Sequence, residues 1–157
     1  GCTADLFDET GVWGRADRPK EPDAYAFLHS SPFIHPSVMF RRQVLVDYGY
    51  SERRIEYRCE DYELFMRLYA KGYRGYNSQK ILFQYREDEK RLKRPLIDCV
   101  HEVQVRARGF SQMGILSFRT TPYVLKPLAV GAMAAFPQTA QRIRLKRNIR
   151  DHRIGEE

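Results

Sequence analysis

The segment 61–71 constrains the fold of this chain more than any other, because its apolar side chains recur at the spacing of a single helix face. They occupy positions i, i+3, i+4 and i+7, as Tyr62, Phe65, Met66 and Tyr69. Such an apolar stripe is buried against a second layer of structure. The segment therefore predicts a packed domain, and 157 residues with 43% hydrophobic content are enough to build its core.

Strand patterns on both sides of this helix predict a mixed α/β fold with a small sheet. Residues 4–13 predict a hairpin that turns at Asp8-Glu9-Thr10-Gly11, and residues 73–85 predict a further strand. The helices are expected to pack on this sheet. A helical C-terminal extension follows it.

Loops and short helices fill the rest of the first half. Residues 14–23 are rich in charge and proline, which predicts an exposed loop. Asp23 is expected to cap a brief helix that ends near His29. Residues 41–48 predict two helical turns that Gly49 stops.

The second half is predicted to be helical. Residues 91–108 predict one helix, and residues 123–136 predict an apolar helical segment that Pro127 and Pro137 punctuate. A basic helix is expected to follow, to about residue 150.

Charge divides the chain into two predicted parts. Residues 1–88 carry 13 basic and 14 acidic residues, a net charge of −1, and residues 89–157 carry 14 and 6, a net charge of +8. We assign residues 1–88 to the sheet-containing domain and residues 89–157 to the basic helical extension. Such an excess of basic residues points to an anionic partner.

Residues 123–153 have the composition of an interfacial membrane anchor. The apolar run 128–136 is far shorter than the roughly 20 residues that cross a bilayer, so the segment would lie on an anionic membrane surface. The residues that fit this anchor are Tyr123, Leu125, Leu128, Val130, Met133 and Phe136, flanked by Lys126, Arg142, Arg144, Lys146 and Arg147. A helix packed on its own domain with a solvated basic tail fits equally well. Nucleic-acid binding ranks below both, because residues 142–153 lack interleaved aromatics.

Three widely spaced cysteines, Cys2, Cys59 and Cys99, support neither a disulfide framework nor a zinc site. They favour a reducing compartment such as the cytoplasm, with peripheral attachment to the inner face of the cell membrane as an option. The chain begins at Gly1 in the middle of a pattern, so we expect it to be part of a longer polypeptide.

Glu60 and Asp61 stand where the amphipathic helix begins. A carboxylate there is stabilised by free backbone N–H groups and the helix dipole, so capping alone explains such a pair. A carboxylate held by a fixed helix at a loop mouth is also well placed to take a proton from an acceptor hydroxyl.

His35 and Ser37 stand between residues 33–34 and 38–40, which we predict to be strand segments interrupted by Pro36. His35 is either a buried histidine bonded to a backbone carbonyl, a metal ligand or a phosphate contact. Ser37 could equally bond its own backbone or a ligand.

Arg86 ends the predicted strand 73–85 within the run Gln84-Tyr85-Arg86. Its planar guanidinium suits phosphate or carboxylate. An ion pair with Glu87 or Asp88 explains it as well.

The ordered set of motifs is more specific than any member. It comprises Phe33-Ile34-His35-Pro36-Ser37-Val38-Met39-Phe40-Arg41, Gly49-Tyr50, Glu60-Asp61-Tyr62-Glu63-Leu64-Phe65-Met66-Arg67-Leu68, Lys71-Gly72-Tyr73 and Tyr85-Arg86. In this order the motifs closely resemble the C-terminal, acceptor-side half of a glycosyltransferase family 2 domain, which has the GT-A fold. The resemblance covers residues 1–88. The remainder is similar only in kind to the tails of bacterial members that build surface polysaccharides.

The resemblance implies an inverting transfer from a nucleotide-sugar donor to a hydroxyl of a glycan or lipid-linked acceptor. Asp61 matches the catalytic base, with Glu60 beside it. His35 would lie near the donor phosphates or the metal, and Ser37 and Arg86 would be weaker substrate or phosphate contacts.

The chain departs from the family in lacking the DxD metal motif, since no two aspartates are separated by one residue. The divalent ion, magnesium or manganese, is therefore expected only with a DxD-containing half. We expect this chain to be inactive alone. The alternative is a non-catalytic remnant that binds a membrane or another protein.

Overall fold

The computed structural model describes residues 1–53, 58–87 and 95–134. Within these ranges the chain forms three strands, four α-helices and two short 3₁₀ helices. They are β1 (Cys2–Asp8), β2 (Gly11–Ala16), the 3₁₀ helices Ala24–Phe27 and His35–Ser37, α1 (Arg42–Tyr48), α2 (Glu60–Ala70), β3 (Ser78–Arg86), α3 (Leu96–Gln112) and α4 (Thr121–Ala134). The mixed α/β fold is confirmed, as expected for part of a GT-A-like domain.

The predicted hairpin joins β1 and β2. Thr10 donates its backbone N–H to the Asp8 carboxylate over 2.8 Å, and Gly11 has a φ of 116°, which side chains other than glycine rarely adopt. These two features close the turn. β2 extends to Ala16, so residues 14–16 belong to a strand and the predicted exposed loop is shorter than expected.

β1 lies in the middle of the sheet, in the order β2-β1-β3, and pairs with β3 in parallel. Cys2 stands opposite Ser78 at one end, and Phe7 stands opposite Arg86 at the other. β3 begins at Ser78, five residues after the predicted start at residue 73. Its side chains Ile81 and Leu82 are exposed.

The predicted strand segments 33–34 and 38–40 are wrong, because residues 35–37 form a 3₁₀ helix. Pro36 lies in its first turn, where a missing N–H costs no helical bond. The Ser37 hydroxyl donates to the Ile34 carbonyl over 2.8 Å and accepts the Cys2 N–H over 3.2 Å. A local side-chain bond therefore replaces a sheet ladder.

The helices agree more closely with their sequence signals. Asp23 caps the 3₁₀ helix Ala24–Phe27 by accepting the Ala26 N–H over 2.9 Å, and Gly49 follows α1. The predicted helix 61–71 is α2, displaced by one residue. The predicted helix 91–108 is observed as α3, Leu96–Gln112, while residues 91–94 and the predicted basic helix to residue 150 lie outside the described residues.

The main core lies between α2, α3, α4 and the segment that follows β2. All four residues of the predicted apolar face are buried, and they pack with Phe27, Phe33, Val105, Phe110 and Val124. Gly109 on α3 allows α2 to approach closely, because a Cβ there would overlap the Met66 sulfur. The helical residues 96–124 therefore share one core with α2.

Pro127 lies inside α4 and does not end it. A proline at this position leaves the carbonyl of Tyr123, four residues earlier, without its helical donor. Arg106 of α3 donates to that carbonyl over 3.3 Å. The contact between α3 and α4 thus satisfies the group that Pro127 leaves unbonded.

None of the helices in the described ranges is both long and apolar enough to cross a membrane. The proposed interfacial anchor is divided in the structure. Val124 is buried in the core, whereas Leu125 and Val130 are exposed. Residues 136 and 142–147 lie outside the described residues.

Because of Tyr62, the stability of this core should fall as the pH rises in the alkaline range. Its hydroxyl donates to the Phe27 carbonyl, and burial raises its pKa well above 10.0. The unfolded tyrosine ionises near pH 10, so Tyr62 should cost the folded state about 1.4 kcal/mol for each pH unit above about 10. Tyr62→Phe should therefore lose about 1–2 kcal/mol at pH 7.5, and this deficit should shrink by pH 11.

Urea unfolding at pH 7.5, 10 and 11 measures this difference. Tyr25→Phe is the matched control, because Tyr25 is 58% exposed. It should change the unfolding free energy by less than about 0.5 kcal/mol at each pH. A Tyr62→Phe deficit that stays constant up to pH 11 contradicts the assignment.

Candidate active site

Asp61 lies in the first turn of α2, directly after Glu60. The carboxylate of Asp61 is half-buried and forms neither a hydrogen bond nor an ion pair with the residues that the structure describes. The backbone N–H groups of the first turn and the helix dipole favour a negative charge here. α2 thus holds an unpaired carboxylate in a fixed position.

The two acidic residues have different surroundings. Oε2 of Glu60 is buried and has no hydrogen-bond partner among the described residues. Asp61 instead lines a cavity of about 330 Å³, and Glu60 is not part of that lining. Of the two carboxylates, Asp61 is the one that a ligand in the cavity would meet.

The cavity lies between the start of α2, residues 29–31, α3 and α4. Its volume is at the lower end of the range of about 300–1,000 Å³ for small-molecule sites. Three cations line it, Arg58, Arg106 and Lys126, together with the carboxylates of Asp61 and Glu102. Both halves of the sequence therefore contribute to its wall.

Arg106 joins the elements that form this wall. Its side chain is 4% exposed and lies 2.9 Å from Glu102, and it donates to the carbonyls of Leu28, His29 and Tyr123. Its guanidinium also lies over the Tyr62 ring, 5.0 Å from the centroid. These contacts use its N–H groups, so Arg106 fixes the shape of the cavity.

Tyr50 connects His35 to the acidic pair. His35 Nε2 and the Tyr50 hydroxyl are 2.7 Å apart, and the His35 ring also packs edge-on against Phe65. The pKa of Tyr50 is raised by burial and then by the charges of Asp61 and Glu60. The structure therefore brings His35 into the neighbourhood of Asp61.

Sequence reasoning missed Tyr50 and Lys126 as site residues. The signal for Tyr50 was its place in the Gly49-Tyr50 motif, which marked the resemblance but carried no assigned chemistry. Lys126 was counted only as a flanking charge of the membrane anchor. Its packing against His29, 97 positions earlier in the chain, has no local signature.

Ser37 and Arg86 lie apart from each other. Both bonds of the Ser37 hydroxyl are to the backbone, and they attach the 3₁₀ helix to Cys2 at the start of β1. Arg86 stands opposite Phe7, five residues further along β1, which separates the two ends by about 17 Å at 3.3 Å per residue. Arg86 is 3.5 Å from the Glu9 carboxylate.

The part of the chain that the structure describes contains no cluster of three or more His, Cys, Asp or Glu side chains that could hold a metal ion. No step of the chemistry is assigned to one.

One comparison with known proteins bears on this site. The chain is 37% identical over 90 residues to "Putative glycosyltransferase EpsE" of Bacillus subtilis (strain 168). The chain is thus related to a glycosyltransferase. The match covers 57% of this chain and 32% of the relative, so the chain spans about a third of that relative's length. No family model and no solved structure matches the chain.

The electrostatic contact between Tyr50 and Asp61 can be measured directly. Asp61→Asn removes a negative charge near the phenol, so the pKa of Tyr50 should fall, while remaining above 10.0 because burial is the larger cause. Titration of ¹³C-labelled tyrosine by NMR, with Tyr50→Phe to assign the signal, measures this shift. Asp47→Asn, an exposed change on α1, should leave the pKa of Tyr50 unchanged. Equal titration curves for the wild type and Asp61→Asn would show that the two groups do not interact.

Proposed function

We propose that this chain is the acceptor-side part of an inverting glycosyltransferase, with Asp61 as its general base. The observation that carries the proposal is the Asp61 carboxylate, which has no ion-pair partner among the described residues and lines a cavity of about 330 Å³ from a fixed helix start. The similarity to a glycosyltransferase over 90 residues supports the same reaction class.

In the proposed reaction the acceptor hydroxyl lies in the cavity and Asp61 takes its proton. The hydroxyl oxygen forms a bond to the anomeric carbon of a nucleotide-activated sugar from the face opposite the leaving group. The bond between that carbon and the diphosphate oxygen breaks, and the nucleoside diphosphate leaves with the electron pair. A single displacement of this kind inverts the anomeric configuration.

Glu60 and His35 have supporting roles in this proposal. Oε2 of Glu60 is buried and Glu60 does not line the cavity, so its proposed role is to add its charge to the field around Tyr50. His35, which is hydrogen-bonded to Tyr50, is the proposed contact for a donor phosphate. Ser37 holds the backbone that carries His35.

The donor and its divalent ion are not assigned to any described residue. We expect the nucleotide-sugar donor and magnesium or manganese to be bound by a DxD-containing part of the enzyme. A glycan or lipid-linked glycan of bacterial surface polysaccharide synthesis is the proposed acceptor. The three cysteines are buried and form no disulfide, which fits a cytoplasmic enzyme.

Asp61→Asn in the native gene product tests the proposal. The amide keeps the shape of the side chain but cannot take a proton, so kcat should fall by about 10²- to 10⁴-fold. The melting temperature should change little. Transfer is measured as nucleoside diphosphate released with acceptor present, minus the release without it.

Asp47→Asn is the matched control for this change. Asp47 is exposed and bonds only the neighbouring Gln43 within the described part of α1, so this variant should retain the full rate. An Asp61→Asn protein that transfers sugar at the wild-type rate excludes Asp61 as the base and favours a non-catalytic binding role.

A further inference from the structure

Lys126 is a cation in the cavity wall that forms no ion pair with a carboxylate of the described ranges. Its Nζ donates one hydrogen bond, to the His29 carbonyl, over 2.9 Å. An ammonium group carries three N–H donors, so two remain for a ligand. Burial and then the nearby Arg106 charge lower the pKa of Lys126, and the Glu102 carboxylate opposes them.

The other two cations of the cavity differ in how many of their N–H groups are already hydrogen-bonded. Arg106 is fully engaged with Glu102 and three backbone carbonyls. Arg58 uses one N–H group on Asp98, over 2.8 Å, and its side chain is 54% exposed. Asp98 does not line the cavity. Among the described residues, Lys126 and Arg58 therefore have N–H donors without a protein partner, and Arg106 adds its charge.

The charges that line the cavity sum to +1, from three cations and two carboxylates. Glu102 is engaged with Arg106, and Asp61 must stay unpaired to accept a proton. A neutral sugar in the cavity would displace water from the half-buried ammonium group of Lys126 without giving it an ion-pair partner. An anion on the ligand would supply that counter-ion in a charge-assisted hydrogen bond.

We propose that this cavity binds an acceptor that carries an anionic group, which Lys126 holds while the acceptor hydroxyl meets Asp61. That the ligand is a sugar acceptor rests on the proposed function. That the cavity binds an anion is inferred from the charges of its own side chains. The anion is either the carboxylate of an acidic sugar or the phosphate of a lipid-linked one. The ammonium group of Lys126 and the guanidinium group of Arg58 can donate hydrogen bonds to either a carboxylate or a phosphate.

Binding of small probes to the full chain tests the anion site without any transfer reaction. Sodium glucuronate, methyl phosphate and the neutral sugar glucose are titrated at low salt and followed by NMR chemical-shift changes. At least one anion should bind about 10-fold tighter than glucose. The stronger of the two anions identifies the source, a carboxylate or a phosphate.

Variants separate Lys126 from general charge effects. Lys126→Gln should weaken binding of the preferred anion by about 5- to 10-fold, whereas Lys80→Gln, on the exposed strand β3, should leave it unchanged. Lys126→Arg keeps the charge and should retain binding within about 3-fold. Asp61→Asn should tighten anion binding by about 2- to 5-fold, because it removes a like charge.

Equal binding of glucose and both anions, or equal weakening by Lys126→Gln and Lys80→Gln, would overturn this inference. If Lys126→Gln does not fold, the Lys126→Arg and Asp61→Asn measurements decide, since unchanged anion binding in Asp61→Asn contradicts a shared cavity. The two proposals fail separately. If Asp61→Asn loses transfer but no anion binds, the proposed function is retained and the anion site is rejected. If an anion binds but Asp61→Asn transfers sugar at the wild-type rate, the anion site is retained and the proposed function is rejected.

Discussion

The buried guanidinium of Arg106 is the interaction on which the helical layer depends. A charge that is 4% exposed is stable only when its hydrogen bonds are complete, and removal of one partner of such a pair costs about 3–5 kcal/mol. Its partners come from α3 itself, α4 and residues 28–29, and its face covers Tyr62 of α2. These contacts hold the elements in one relative arrangement, which shapes the cavity beside Asp61.

Pro127 and Arg106 are two parts of one arrangement. The proline deprives the Tyr123 carbonyl of its helical donor, and the guanidinium that completes this carbonyl is the one that also binds Glu102. Pro127 itself lines the cavity. The sequence predicts that Pro127 punctuates the apolar helical segment, because proline within a helix costs a hydrogen bond. The replacement donor, Arg106, stands 21 positions before Pro127, and no local pattern shows it.

Features that depend on neighbours in sequence were predictable, and those that depend on distant ones were not. The apolar face of α2, the cap by Asp23 and the stop at Gly49 follow from spacing and residue type. Asp61 and His35 were predicted as site residues from the order of the motifs around them, and those roles stay predictions. Residues 33–40 were misread because the Ser37 hydroxyl bonds Ile34 and Cys2, and the Cys2 contact requires the sheet to be present. Tyr50 and Lys126 gain their surroundings only from the folded chain.

Different cations in the cavity wall have a structural role and a proposed ligand-binding role. A guanidinium has five N–H groups in fixed directions, so carbonyls and a carboxylate arranged around Arg106 can satisfy it completely and hold it still. An ammonium group on a flexible stem is anchored by one bond to the His29 carbonyl and still has donors to give. Arg106 is thereby suited to fix the wall, and Lys126 to meet a ligand. Since α4 carries Lys126 and α2 carries Asp61, the C-terminal helices are part of the candidate site itself, whatever else their basic continuation binds.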